Sequence, residues 1–211
     1  MTVVCDTLHR WANGLERYTF PYAVDSLPVN GIYLLFERGE RGHDSDRIVR
    51  VGTHTGDGQL VSRLRQHFLV QNKDRSIFRK NVGRSLLHRD GDSFETDWEI
   101  DLTTREAKDR YALTIDGVKM REVEDAVSAY IQTNMSFVAI PVSAKAERLD
   151  IESRLISTLS KCEQCRPSST WLGLSSPKEK IRASGLWLVN ELYKAPMTPD
   201  QMVELTGLVG D

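Results

Sequence analysis

The feature that most constrains the fold is two short apolar runs with a helical pattern directly behind them: GIYLLFE at 31–37, RIVRVGTH at 47–54, then RLRQHF at 63–68. Runs so rich in Ile, Val, Leu, Tyr and Phe read as strands, and their closeness in the chain makes an antiparallel hairpin the simplest pairing. The polar stretch 39–46 between them reads as a long turn. A helix following at once brings Tyr33, His54, Arg63 and His67 toward one place, and a phenol, a guanidinium and imidazoles together suit phosphodiester chemistry.

Other elements follow from periodicity. Leu8, Trp11, Leu15 and Tyr18 recur at helical spacing, so a first helix is expected over 6–18 with Asp6 as its cap, and a loop carries on to residue 30. Leu60, Leu64 and Phe68 define a helix over 59–70, with Arg63 and His67 four apart beside that row, both heads at the rim of the core. Helices are expected at 77–88 and 120–132, and a third strand at 137–142 that extends the hairpin's sheet. Residues 91–117 read as an irregular insertion.

A helix over 145–162 holds the strongest single clue. Leu149, Ile151, Leu155, Ile156 and Leu159 form one apolar arc, and Glu152 falls inside it instead of on the polar edge. A carboxylate there is costly unless it is paired, hydrogen-bonded or bound to a metal. Two readings stand: a buried glutamate satisfied by an arginine or backbone donors, or a ligand for a divalent cation.

Bulk properties bound the class. At 211 residues, 40% apolar and 27% charged, the chain suits one globular domain over 1–211. No apolar stretch is long enough for a bilayer, and Asp6, Arg10, Glu16 and Arg17 occupy the place of a signal sequence's apolar centre, so no membrane and a cytoplasmic location are expected. Cys5, Cys162 and Cys165 are too few for a disulfide framework, in keeping with a reducing compartment. A net charge of -2 argues against non-specific coating of nucleic acid. Its distribution is uneven: residues 63–89 hold eight Lys or Arg against Asp74 alone, whereas 92–101 hold five acids and no base. This reads as a basic face beside an acidic insertion, or as two solvated helix faces.

GIY at 31–33, a second strand ending at Gly52, Arg63 with His67 four residues on, and a late helical Glu152 occur in the order of the GIY-YIG nuclease superfamily, which the chain resembles from about residue 31 to 170. VRVGTH, SIFR and the WLG and SGLW segments also resemble a bacterial subgroup of it. The resemblance implies an α+β fold, a small three-stranded antiparallel sheet flanked by helices. The core would span 29–172, with an N-terminal helix and loop over 1–28 and a C-terminal extension over 173–211. It implies a divalent-metal-dependent endonuclease acting on nucleic acid, most simply DNA, with Mg²⁺ or Mn²⁺ on Glu152. Arg63 would neutralise developing charge, and Tyr33, with His67 and His54 as further titratable groups, would orient or deprotonate water. A phenol is a poor base near neutrality unless neighbours favour the phenolate. Arg50, Arg65, Arg75, Arg79, Lys80 and Thr170 would contact substrate, and the oligomeric state stays open, a dimer included.

Two positions depart from the family pattern. Arg50 stands where the second motif has its tyrosine, and PSSTWLG replaces the region of a later asparagine, with Ser169 or Thr170 offering a hydroxyl instead. The rival reading is thus a catalytically silent binding or adaptor module. A third, a protein-interaction domain, applies if the basic residues point into the acidic segment. Cys162 and Cys165 form one CxxC, and zinc would need two more ligands from Cys5 and scattered histidines, which makes it the lesser reading. Trp171 and Trp187 read as packing residues more than base-stacking platforms, and Asn190 as an ordinary hydrogen-bonding residue that could border the site.

Overall fold

The computed structural model describes residues 2–208. In chain order its elements are α1 (Thr2–Gly14), β1 (Tyr18–Thr19), β2 (Gly31–Gly42), β3 (Ser45–Gly52), α2 (Leu60–Phe68), α3 (Ile77–Asp90), α4 (Glu95–Trp98), α5 (Arg105–Tyr111), α6 (Gly117–Asn134), β4 (Met135–Pro141), α7 (Lys145–Ser160), α8 (Glu179–Ser184) and α9 (Pro199–Gly207). The strands form one antiparallel α+β sheet in the order β1-β4-β2-β3. The expected third strand pairs with β2, and the short β1 adds a fourth at its outer edge.

Helices cover both faces. On one, Ile32, Leu34, Phe36 and Val51 pack with α1, α7 and α9; on the other, Tyr33, Leu35, Val49 and Phe137 pack with α2, α3 and α6. That double cover explains why residues 31–36 are apolar without alternation, since all of them are buried.

Three sequence expectations change. The first helix begins at Thr2 and ends at Gly14, so Asp6 lies inside it and pairs with Arg10 one turn on, while Tyr18 opens β1 and stacks on Phe137. The long turn at 39–46 is instead strand closed by His43 and Asp44, whose φ values of 52° and 57° match the left-handed two-residue hairpin turn. Of its polar residues Glu40 points inward: it is buried in an ion pair with Arg47 of β3, and Arg47 also donates to the Gly185 carbonyl. Last, 91–117 is not irregular throughout, because it carries α4 and α5 and buries Phe94 and Trp98 against α3.

That packing also rewrites the charge pattern. Arg84 pairs with Glu99, Lys80 Nζ donates to the Glu99 carbonyl at 2.9 Å, and Lys73 Nζ donates to the Ile100 carbonyl. Arg79 is fully buried against Glu124 at 2.6 Å. Arg79 and Lys80 are therefore withdrawn from any phosphate-binding surface by internal compensation, while Arg65 and Arg75 stay exposed. Among the described residues no helix is long and apolar enough to cross a membrane.

Candidate active site

The site starts from an irregularity in β3. Leu35 pairs with Arg50 and Phe36 with Ile48, which leaves Val49 as the extra residue of a bulge. Bulges re-aim side chains. Here Val49 packs in the α2–α3 core and the Arg50 guanidinium stands 5.2 Å over the Phe78 ring. The backbone N–H of Trp187 fills the space beside the bulge by donating to the Val49 carbonyl at 2.8 Å.

Arg50 forms one wall of a cleft of about 470 Å³, shared with Asn81, Glu152, Trp187, Asn190 and Glu191. Arg50 Nη1 donates to the Trp187 carbonyl, yet its Nε is a buried donor with no partner. Asn81 repeats this, with Oδ1 accepting from Arg84 at 2.6 Å and Nδ2 buried without a partner. Buried orphan donors are uncommon. Two of them belong to residues that line one cleft, each atom closed to solvent behind the cleft wall.

Glu152 lies between the two readings left open for it. Thr53 N–H donates to its Oε1 at 3.1 Å, so a backbone donor satisfies one oxygen, and among the described residues no base pairs with the other. Burial pushes its carboxyl above the usual glutamate range; the Arg50 guanidinium, the Thr53 bond and Arg63 act the other way, while Glu191 adds to the rise. A glutamate with one unpaired oxygen, lining a cleft whose polar groups sit among Ile77, Leu149, Ile156 and Val189, fits a magnesium-type cation, which takes one or two carboxylates and completes its shell with waters and substrate phosphates.

Behind β3 lies a hydroxyl–imidazole–hydroxyl row. Tyr33 is paired with Gly52, and its phenol lies so close over that glycine that a Cβ there would stand 2.1 Å from the hydroxyl. The hydroxyl is 2.7 Å from His67 Nε2, and His67 Nδ1 is 2.7 Å from Ser76 Oγ, which also accepts from the Arg79 N–H as the N-cap of α3. His67 is held well below its ordinary pKa, first by burial and then by Arg50, Arg63 and Arg79, so it is neutral near pH 7. Arg50 and Arg63 thus bear on both His67 and Glu152.

The sequence candidates separate accordingly. Tyr33, Arg50, Arg63, His67 and Glu152 do gather about Gly52 and Thr53. Tyr33 and His67 are fully buried, however, so His67 is not at the rim, and Tyr33 lacks the contact with water that a base needs. His54 is locked: Nε2 accepts from the Gly31 N–H at 3.2 Å and Nδ1 donates to the Gly56 carbonyl at 2.6 Å, which leaves no nitrogen for chemistry. Arg63 donates to Gln66 and to the Arg75 carbonyl, each at 3.1 Å. Thr170 lies outside the cleft, 3.2 Å from Ser168 in the loop that holds Glu40. Trp171 is core, its indole N–H on Glu37, and Trp187 is both core and cleft wall. Asn190 does border the site.

Asn81 and Ser76 were missed. Ser76 carried a signal, a serine directly before a helical run; Asn81 carried none, because only the packing of α3 turns its amide into the cleft. No curated protein and no solved structure matches the chain. A family model described as the GIY-YIG domain matches residues 4–210. The tyrosine of GIY seated on the closing glycine of the neighbouring strand, with Glu152 on the next backbone N–H, agrees with that match, and the chain belongs to the GIY-YIG domain family.

Proposed function

We propose that the protein is a divalent-metal-dependent endonuclease that hydrolyses phosphodiester bonds in DNA. Membership of a nuclease-type family supports hydrolysis of nucleic acid in general. The observation that carries the finer reading is a pair of unsatisfied donors, Arg50 Nε and Asn81 Nδ2, on two residues that line the same cleft as Glu152 and that a small side-chain rotation would turn toward a bound phosphate. Donors and a carboxylate across one cleft suit a phosphate and a cation bound together.

Arg50 and Asn81 donate to the non-bridging phosphate oxygens, and Arg63 adds positive charge as the phosphate becomes more anionic. Glu152, fixed by Thr53, would hold Mg²⁺ or Mn²⁺, and that cation would supply charge neutralisation and Lewis acidity there. Tyr33 acts from behind as a positioning residue: anchored on His67, its ring bears on Gly52 and so fixes the N–H of Thr53. The sealed phenol and the absent second tyrosine favour one further reading, a module that binds nucleic acid without cutting it.

Plasmid and single-stranded DNA incubated with the protein in Mg²⁺ or Mn²⁺ distinguish these. Cleavage is expected from the parent protein, none from Glu152→Ala, and a measurable fraction from Tyr33→Phe. Cleavage that persists in Glu152→Ala rejects the assignment, and binding without cleavage by the parent establishes the silent module.

A further inference from the structure

A second cluster of ligand-type side chains lies at the turn end of the β2–β3 hairpin, the end opposite Gly31 and Gly52. Cys5 and His9 stand one turn apart on α1, His43 occupies the hairpin turn, and Cys162 and Cys165 follow α7. Three distant parts of the chain thus place three thiols and two imidazoles together. One donor atom from each of Cys5, His9, His43 and Cys165 lies within 4.8 Å of the other three. Cys5 Sγ is 3.4 Å from Cys165 Sγ, and Cys162 Sγ is 3.3 Å from His43 Nε2. Zinc bonds of about 2.3 Å to sulfur and 2.0 Å to nitrogen set tetrahedral ligands roughly 3.5–3.8 Å apart, so the Cys5–Cys165 and Cys162–His43 spacings are already close to those of a bound ion, while Cys162, outside the group of four, has to swing in beside His43 to join Cys5 and Cys165.

Burial of free cysteines alone proves little, because a thiol packs as a small apolar group. His43 is the independent sign. It sits at a hairpin tip with φ of 52°, where Asn, Asp or Gly is the usual occupant, yet its side chain is only 2% exposed and turns inward. Its Nδ1 faces Asp6 Oδ1 at 3.9 Å, which leaves Nε2 toward the thiols. A carboxylate behind a histidine is the usual outer support of a metal-bound imidazole.

We propose that Cys5, His43, Cys162 and Cys165 form a closed structural zinc site that ties α1, the hairpin turn and the loop after α7 together. His9 stands outside it, because Nδ1 is engaged with the Cys5 carbonyl at 2.9 Å and Nε2 accepts from the Ile48 N–H at 3.3 Å. Four protein ligands leave no open position, so the site holds structure and does no chemistry. Cys162-x-x-Cys165 supplies the short spacing common in such sites.

Elemental analysis of the protein purified without chelator tests this. The expected result is close to one zinc per chain, kept in Glu152→Ala and lost in Cys165→Ser. Chelation should lower the melting temperature equally in the parent and in Glu152→Ala, which separates the effect from any ion held in the cleft. Cobalt substitution should give thiolate-to-cobalt absorption in the parent that falls by about a third in Cys162→Ser and is unchanged in His9→Gln. Purified protein with no zinc and three freely titrating thiols, or iron in zinc's place, overturns the proposal. Full cobalt absorption in Cys162→Ser with loss in His9→Gln overturns the assigned ligand set. Should Cys165→Ser fail to fold, the parent's metal content and the Cys162→Ser spectrum still decide.

Discussion

At the scale of single residues, Gly52 links the two halves of the cleft. No side chain fits between its Cα and the Tyr33 hydroxyl, and the following N–H holds Glu152. Gly52→Ala should displace the phenol and tilt Thr53, lowering cleavage at least tenfold while circular dichroism stays native; unchanged activity would remove Tyr33 and Glu152 from a common unit. His67 makes a prediction of opposite kind. Its folded pKa lies well below the ordinary value of about 6.5, so folded protein stays neutral where the unfolded chain takes up a proton. Stability is therefore full above about pH 6.5 and declines as pH falls through the unfolded value toward the folded one. Urea midpoints between pH 7.5 and 5 should show that decline, and it should shrink in His67→Gln.

At the scale of elements, α3 is placed by a small residue and a polar one. A Cβ on Gly83 would come within 2.4 Å of the Trp98 ring, whose N–H donates to the Lys80 carbonyl at 2.9 Å, so α3 rests directly on the acidic segment. Gly83→Ala should destabilise by about 1–3 kcal/mol through overpacking, even though alanine favours helix. Chemical denaturation measures this, and a stabilised variant would contradict the contact. The bulge at Val49 works at the same scale, since it aims Arg50 at the cleft. Helix and strand positions were largely legible because apolar spacing reports burial. The hairpin tip was not: Glu40 looks like a loop residue until it is seen to neutralise Arg47 inside the fold.

At the scale of the whole molecule, the acidic segment and α6 consume much of the positive charge of residues 63–89. Lys73, Arg79, Lys80 and Arg84 are paired internally and Arg89 pairs with Asp90, which leaves Arg63, Arg65 and Arg75 of that stretch, with Arg50, to face a polyanion. Roughly four phosphate contacts imply a slope of log affinity against log salt of about -3.6, whereas nine free bases, Arg50 included, would give about -8. Fluorescence anisotropy with a short duplex across a salt series separates the two values. Arg75→Ala should reduce the slope by about one.

The sequence by itself determined the order of strands and helices, the family, and the meeting of Tyr33, Arg50, Arg63, His67 and Glu152, because motif order and periodicity fix which faces must be buried. Tertiary structure alone decided which groups are free to act. His54, Arg79 and Lys80 are spent on internal partners, Tyr33 is sealed, Asn81 and Asn190 enter the cleft, and five cysteine and histidine side chains converge. Such outcomes depend on which side chains from distant parts of the chain meet, and spacing along a sequence carries no record of partners contributed by another element.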